Sequence, residues 1–153
     1  MISGDELQFV IFRVGTQEFA LNIFQVERIL RYQKPAAVPK APDYLEGVLQ
    51  YRDGVVPVVD LRKRLGLAAP LREETRLMVL EFEDQRIAVL VDQVIEVLRI
   101  DTRTIASPPA IVRGLAAAYI TGMITRPDRT VVVLNAAKLL SSKERLRLTE
   151  VGA

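Results

Sequence analysis

The chain of 153 residues contains no cysteine, no histidine and no tryptophan. Without cysteine there are no disulfides, thiolate metal sites or thiol nucleophiles, and without histidine there is no imidazole base and no phosphohistidine. Carboxylates by themselves can still bind metals, but no Asp-x-Asp-x-Asp-Gly pattern occurs. These absences exclude most catalytic chemistry, and we expect neither an enzyme nor a bound cofactor or metal.

Long apolar runs and a strong net charge are also missing. No stretch approaches the roughly 18 uninterrupted apolar residues of a membrane-spanning helix. The N-terminus lacks the basic and apolar regions of a signal peptide. The formal net charge of +2 is too small to argue for a nucleic-acid partner by itself. We therefore expect a cytoplasmic globular protein that does not insert into a membrane.

The sequence does contain many short, strand-like segments, because alternating or continuous apolar runs follow one another along the whole chain. In the first half the predicted strands are Leu7–Val14, Glu18–Ile23, Val26–Tyr32, Gly47–Arg52 and Val55–Val59. In the second half they are Thr75–Phe82, Gln85–Val91, Val94–Ile100, Tyr119–Thr125 and Thr130–Leu134. Each set ends in a short helical pattern.

The two halves resemble each other. The segment TQEFALNIFQVERIL from Thr16 matches DQRIAVLVDQVIEVL from Asp84 at an offset of 68 residues. The segment from Gly47 matches GMITRPDRTVVVLNAAKLL from Gly122 at an offset of 75 residues. A constant order with one insertion in a loop predicts an internal duplication.

A duplicated five-stranded unit predicts an all-β fold. Five short strands hide their edges by curling into a small barrel. Because two barrels of roughly 70 residues would each be marginally stable, we expect them to share an apolar seam. The predicted organisation is a single domain over residues 1–153. Its subdomains span about 10–70 and about 75–140, and a C-terminal helix spans about 136–150.

Turn and cap residues mark the ends of these units. Asp60 is predicted to be the N-cap of a short helix that Gly66 closes, rather than a catalytic carboxylate, and Asn135 is its counterpart. Asp53-Gly54 is a hairpin-turn signal. Pro57 cannot donate a hydrogen bond to a sheet, so its nitrogen should face an edge or a bulge.

One difference between the halves points to a charged site. Glu27 aligns with Ile95, so the carboxylate occupies a position that is apolar in the other half. A partly buried carboxylate needs a cation or hydrogen-bond donors. Arg52, at the end of a neighbouring strand, is the natural partner, and Arg28 and Arg31 are competitors. A solvated surface pair is the alternative.

Several motifs, taken together and in order, resemble the CheW family of bacterial chemotaxis coupling proteins. The resemblance extends from Phe9 to Leu140 and rests on the segments Phe12–Leu21, Val26–Arg31, Val38–Val48, Gln50–Arg62, Val91–Val97 and Tyr119–Gly122. It implies two SH3-like five-stranded barrels without catalysis. It also implies an adaptor that couples the cytoplasmic tips of methyl-accepting chemotaxis receptors to the regulatory domain of a CheA-type histidine kinase. Such an adaptor is recruited to receptor arrays at the inner face of the membrane.

The resemblance also implies a coupling surface. The acid of the third strand and the arginine of the family's Asn-Leu-Arg-Gly stretch map onto Glu27 and Arg52. We expect the partner-binding residues to be Glu27, Arg28, Ile29, Leu30 and Arg52. Here the stretch reads Gln-Tyr-Arg-Asp, which leaves open the partners of a variant, pilus-type chemosensory system.

A nucleic-acid-binding barrel is the alternative class. It is prompted by Arg62-Lys63-Arg64 and by the basic segment 143–147. Single-strand binders interleave aromatic side chains with a basic groove, whereas few aromatics lie near these residues. A solvated helix face therefore fits better, and we expect no nucleic-acid partner. The chain length leaves no room for the acidic pocket of a receiver domain, which favours a stand-alone adaptor over a kinase fragment.

Overall fold

The computed structural model describes residues 5–67, 70–107 and 119–139, and they form ten strands. The strands are β1 (Glu6–Val14), β2 (Gln17–Asn22), β3 (Val26–Arg31), β4 (Leu45–Tyr51), β5 (Gly54–Asp60), β6 (Arg76–Phe82), β7 (Gln85–Val91), β8 (Gln93–Asp101), β9 (Ile120–Arg126) and β10 (Arg129–Leu134). All ten predicted strands are confirmed, with bounds that differ by at most two residues.

Helix is scarce in the described part of the chain. It comprises one four-residue helix, α1 (Leu61–Arg64), and three-residue 3₁₀ turns at Ile23–Gln25, Thr102–Thr104 and Ala136–Lys138. None of the described helices is long and apolar enough to cross a membrane. The all-β prediction with short helices is confirmed. Of the predicted C-terminal helix, only the turn at Ala136–Lys138 lies within the described residues, and positions 140–150 lie outside them.

The strands form two five-stranded sheets. Sheet A has the order β8-β1-β2-β10-β9, and sheet B has the order β3-β6-β7-β5-β4. Exchanging the first five strands with the last five converts one order into the other. The register follows the same rule: Ala20 lies opposite Val133 in sheet A, and Ala88 lies opposite Val58 in sheet B. These are the residues that the offsets of 68 and 75 relate, so the duplication read from the sequence is also a pseudo-twofold symmetry of the fold.

The sheets do not follow the two halves of the sequence. Each half contributes its first two strands to one sheet and its last three strands to the other. This differs from the expectation that each half closes its own sheet. The chain crosses between the sheets through the short connections after β2 and β7 instead of folding back. The bounds 10–70 and 75–140 therefore describe repeated units of sequence, not sheets.

The apolar residues form three clusters that explain why the strands are hydrophobic on both faces. One face of β1 and β2 packs inside sheet A through Phe9, Ile11 and Ala20. The equivalent positions Leu77, Val79 and Ala88 pack inside sheet B. The opposite faces of both sheets meet in a third, larger cluster, whose buried members include Val10, Phe12, Leu21, Met78, Leu80 and Val89. This cluster is the predicted apolar seam.

The predicted helix caps are confirmed. The Asp60 side chain accepts a hydrogen bond of 2.9 Å from the Arg62 backbone nitrogen at the start of α1. Gly66, at φ 73°, donates its N–H to the Lys63 carbonyl, which closes the helix in the left-handed conformation that glycine favours. Asn135 accepts from the Ala137 backbone nitrogen at 3.0 Å in the repeat-related position.

The hairpin between β4 and β5 turns one residue earlier than expected. Its two-residue loop is Arg52-Asp53, and Gly54 is already paired with Tyr51. Hairpin turns of this kind need a residue with positive φ, and Asp53-Gly54 was expected to provide it. In the structure it is Arg52 that has the positive φ, at 53°. The left-handed region is uncommon for a residue with a long side chain, so the contacts of Arg52 must hold it there.

Pro57 lies in an interior strand, at a point where the missing N–H is not needed. Across β4 it faces Val48, whose own backbone groups bond to Ala36 at 2.9 Å rather than to β5. On the other side, the parallel pairing with β7 begins only at Val58. In sheet A the repeat-related Val132 is paired with Phe19. The proline therefore sits outside the parallel ladder, which agrees with its having no hydrogen to donate.

Candidate functional site

A β-bulge places Glu27 at the end of sheet B. The register between β3 and β6 shifts between Val26 and Arg28, so Glu27 has no direct partner across the strands. A bulge re-aims a side chain relative to its neighbours. The Glu27 carboxylate is thereby brought to the end of β4 and its hairpin loop, where Tyr51 and Arg52 lie.

Three side chains converge on the Glu27 carboxylate. The Tyr51 hydroxyl donates to Oε2 at 2.9 Å, and Arg52 Nη1 donates to Oε1 at 3.2 Å. Arg86, on β7, forms a two-pronged contact through Nη2 to Oε1 and Nε to Oε2, both at 3.0 Å. The Arg52 guanidinium also lies 5.3 Å from the centre of the Tyr51 ring. We refer to Glu27, Tyr51, Arg52 and Arg86 as the Glu27 cluster.

Exposure divides this cluster into an inner and an outer part. The Glu27 side chain is 15% exposed, whereas those of Arg52 and Arg86 are 50% and 44% exposed. The carboxylate is therefore the covered centre of the cluster, and the two guanidiniums are its accessible part.

The environment changes the pKa values within the cluster. Partial burial by itself raises the pKa of Glu27, but the hydrogen bonds from Tyr51 and Arg86 and the charges of Arg52 and Arg86 outweigh it and lower the pKa below 4.5. Burial and the hydrogen bond to Glu27 raise the pKa of Tyr51. The hydrogen bond to Glu27 also raises the pKa of Arg86. These shifts favour a charged Glu27, a neutral Tyr51 and a charged Arg86 at neutral pH.

The Glu27 cluster makes stability depend on pH. A carboxyl group with a lowered pKa in the folded state stabilises the fold above its unfolded pKa and loses that contribution as the pH falls through its folded pKa. We expect the urea midpoint of the wild-type chain to fall more steeply below about pH 4.5 than that of Glu27→Gln. Urea unfolding at several pH values from 7 to 3 measures both curves. Glu81→Gln removes a carboxylate that is 47% exposed and 3.5 Å from Arg86, and should follow the wild type. Parallel curves for wild type and Glu27→Gln would contradict the coupling.

The predicted pairing of Glu27 with Arg52 is present, and the second cation that pairs with Glu27 is Arg86 rather than Arg28 or Arg31. Arg28 points to solvent, and Arg31 lies opposite Arg76 at the far end of β3. Sequence reasoning missed Tyr51 and Arg86. The repeat carried a signal for Arg86, because the offset of 68 aligns it with Glu18, a residue of opposite charge.

Of the other residues expected to bind partners, two are accessible and one is partly covered. Ile29 is 40% exposed on β3, next to the exposed Arg28. Leu30 is half-buried and packs against the apolar interior of sheet B. Their role in partner binding stays a prediction.

The corresponding end of sheet A carries a second ionic cluster with the charges reversed. Arg129 is its centre and donates through Nε to Glu18 at 2.8 Å and through Nη1 to Glu96 at 2.7 Å. Glu18 also accepts from Arg129 Nη2 and lies 3.7 Å from Arg13. Glu18 and Arg86 are repeat-related. The duplication has therefore placed an ionic cluster at each of the two pseudo-symmetric ends, one centred on a carboxylate and the other on a guanidinium.

A buried ion network connects the two sheets. Arg62 of α1 is 6% exposed and binds Asp60 through Nε at 2.9 Å and Nη2 at 3.0 Å. Its Nη1 reaches Asp92, between β7 and β8, at 3.3 Å. The other oxygen of Asp92 accepts the Gly15 backbone N–H at 2.7 Å. Because Gly15 belongs to the β1–β2 turn of sheet A, this network ties sheet A to α1, which follows β5 of sheet B.

The basic stretch at α1 is occupied by contacts within the chain. Arg62 lies in the buried network, Lys63 pairs with Glu46, and the Arg64 guanidinium lies 5.1 Å from the centre of the Tyr44 ring. These contacts make α1 a poor surface for nucleic acid. They also correct the expectation of a solvated face, since Arg62 is buried.

The described residues offer no candidate metal site. They include no group of three or more acidic residues placed to hold a metal ion, and the whole sequence has no histidine or cysteine. Instead, the two sheets present exposed guanidiniums and edge strands around a shared core. This arrangement is typical of a β-sheet adaptor, a class of protein that acts by binding other proteins.

Comparison with known proteins identifies the family. The model of the CheW-like domain matches residues 8–144, and the chain belongs to the CheW family. It is 28% identical over 155 residues to the chemotaxis protein CheW of Treponema pallidum, with 98% of this chain and 91% of the relative covered. It is 31% identical over 146 residues to CheW of Klebsiella aerogenes, with 95% and 88% covered.

A solved structure confirms the fold. The crystal structure of the scaffolding protein TtCheW from Thermoanaerobacter tengcongensis superposes with a TM-score of 0.82 at 27% identity, over 90% of this chain and 96% of that one. The family resemblance read from the sequence is thus confirmed. As a CheW-family scaffold the chain is not an enzyme.

Proposed function

We propose that this chain is a chemotaxis adaptor that couples chemoreceptor signalling tips to a CheA-type histidine kinase. The observation that carries the proposal is the match to the CheW-like domain over residues 8–144. The fold supports it, because β3 and β8 are edge strands with exposed apolar residues at the repeat-related positions Ile29 and Val97. Exposed apolar residues on sheet edges favour contacts with other proteins.

The kinase-facing surface is proposed to be the end of sheet B from Glu27 to Leu30, together with Arg52. Arg28 and Ile29 provide an exposed pair of one charged and one apolar side chain. Glu27 holds Arg52 in place, and Leu30 supports the strand from inside the sheet. An apolar contact with a charged rim gives moderate, reversible affinity, which many copies in an array strengthen through avidity.

The receptor tip is proposed to bind in the groove between the two sheets. The chain passes from sheet A to sheet B at the 3₁₀ turn Ile23–Gln25, where the Phe24 side chain is 83% exposed. An exposed aromatic residue beside a groove suits the apolar face of a helix. In this arrangement the adaptor works in the cytoplasm and reaches receptor arrays at the inner face of the membrane through its partners.

Charge reversal at Arg52 tests the kinase-facing surface. We expect Arg52→Glu to weaken kinase binding about tenfold, which corresponds to about 1.4 kcal/mol, because it removes an exposed cation and places a second acid beside Glu27. The measurement is a titration of the purified chain against the kinase regulatory domain. Receptor fragment binding, measured separately, should change little.

The matched control is Arg99→Glu, because Arg99 is 52% exposed and lies on β8 of the other sheet. Thermal melting establishes that both variants fold. Unchanged kinase binding by Arg52→Glu would remove Arg52 from the surface. Repeating the titration with the kinase of a variant, pilus-type chemosensory system shows which system the adaptor serves.

A further inference from the structure

Two arginines face each other directly across sheet B. Arg31 at the end of β3 and Arg76 at the start of β6 are opposite partners in the antiparallel pairing. Like charges directly opposite each other destabilise a sheet. Such a breach of a local rule occurs in natural proteins mainly at functional sites.

A third arginine joins this pair in a pocket of about 300 Å³. Arg72 lies in the segment between α1 and β6, and its backbone N–H bonds to the buried Thr75 hydroxyl oxygen at 2.9 Å. That bond fixes the loop against the start of β6. The lining residues are Arg31, Tyr32, Arg72, Glu73, Thr75 and Arg76.

The pocket has more positive than negative charge. Within the described ranges, none of the three arginines forms an ion pair with a carboxylate. Arg76 Nη1 donates to the backbone carbonyls of Glu73 and Thr75 at 2.8 and 2.9 Å. Glu73 is the one acidic residue among the lining residues, which include three arginines.

Sheet A shows that the fold itself does not require this concentration of charge. At the repeat-related positions, Gln8 lies opposite Arg99, so a neutral side chain replaces one arginine. Arg99 is further compensated by Glu6, at 3.8 Å. In sheet A the charge at the repeat-related position is therefore compensated. The excess of arginine is specific to sheet B.

We propose that the pocket formed by Arg31, Arg72 and Arg76 binds a small oxyanion of the phosphate class that carries two or more negative charges. Guanidinium groups bind phosphate oxygens in a two-pronged geometry. A multivalent anion between Arg31 and Arg76 converts their repulsion into attraction. The concave shape and the pocket volume suit a diphosphate better than a single side-chain carboxylate.

The test is isothermal titration of the full chain with inorganic pyrophosphate at constant ionic strength, with chloride as the balancing anion. We expect saturable binding by the wild type and at least tenfold weaker binding by Arg31→Gln and Arg72→Gln. The control Arg99→Gln should bind like the wild type. Titration with adenosine diphosphate distinguishes the two sources of a diphosphate group. Binding of both probes supports a site for the phosphate end of a nucleotide, and binding of pyrophosphate alone supports a site for the free ion.

Thermal melting in chloride provides the second readout. If the arginines had only a structural role, Arg31→Gln would melt below the wild type, whereas relief of repulsion predicts an equal or higher melting temperature. Absence of pyrophosphate binding by the wild type would overturn the proposal. Equal loss of binding in Arg31→Gln and Arg99→Gln would also overturn it, because the effect would then follow net charge.

Discussion

Replacement of Arg62 by methionine is expected to lower the free energy of unfolding by about 3–5 kcal/mol, since it leaves buried carboxylates without their counter-ion. The side chains of Asp60 and Asp92 are 3% and 16% exposed, and both direct an oxygen at the Arg62 guanidinium. For a chain of this size the loss corresponds to a fall of about 10 °C in melting temperature. Urea unfolding and differential scanning calorimetry measure the effect.

Lys63→Met is the matched control, because Lys63 is the next residue of α1. It forms an ion pair with Glu46, and its side chain is 52% exposed. An exposed pair contributes about 0–1 kcal/mol. Arg62→Lys should give an intermediate loss, since lysine keeps the charge but lacks the planar fork that spans two carboxylates. Equal stability of Arg62→Met and Lys63→Met would show that the network does not stabilise the fold.

Replacement of Gly47 by alanine is the second change with a large expected effect. A Cβ at Gly47 would lie 2.3 Å from the Ala36 carbonyl oxygen, and the residue has a φ of 149°. The Ala36 backbone is fixed by its two hydrogen bonds to Val48, so it cannot move aside without breaking them. We expect a loss of more than 1 kcal/mol, measured as a lower urea midpoint. A change in tryptic cleavage after Lys40 would report the opening of the connection before β4.

Two other glycines provide graded controls for Gly47. A Cβ at Gly122, the repeat-related position, would meet the Ile105 Cγ2 atom at 2.5 Å, but its nearest backbone atom, the Ala106 carbonyl oxygen, lies 3.1 Å away instead of the 2.3 Å found at Gly47. A Cβ at Gly54 would meet nothing within 4 Å. We expect the loss of stability to fall in the order Gly47→Ala, Gly122→Ala, Gly54→Ala. A loss at Gly54 as large as that at Gly47 would contradict the steric explanation.

The strands and the duplication were predictable because the same physical cause produces both signals. Residues such as Phe9 and Val10 face different apolar clusters, so both faces of a strand are hydrophobic and the runs are easy to recognise. The sheet partners were not predictable from this pattern. Hydrophobicity records that a strand is buried, but it does not record which strand lies beside it.

The Glu27 cluster was predictable in part for a related reason. The mismatch of Glu27 with Ile95 indicated that the carboxylate needed a partner. Arg52 could be named because it lies at the end of a neighbouring predicted strand. The bulge at Glu27 and the approach of Arg86 depend on the pairing of β3 with β6 and of β6 with β7. Contacts that arise from such long-range pairing leave no local trace in the sequence.

The strand orders have a consequence for how the chain folds. Sheet B uses β3 to β7, which form one uninterrupted stretch from Val26 to Val91, whereas sheet A uses the segments on either side of it. The molecule is therefore nested, because the stretch that forms sheet B is inserted between the two pieces that form sheet A. Closing the long loop between β1 and β8 has an entropic cost that falls when the intervening stretch is already compact. Sheet B is thus positioned to assemble first during synthesis and to bring the two pieces of sheet A together.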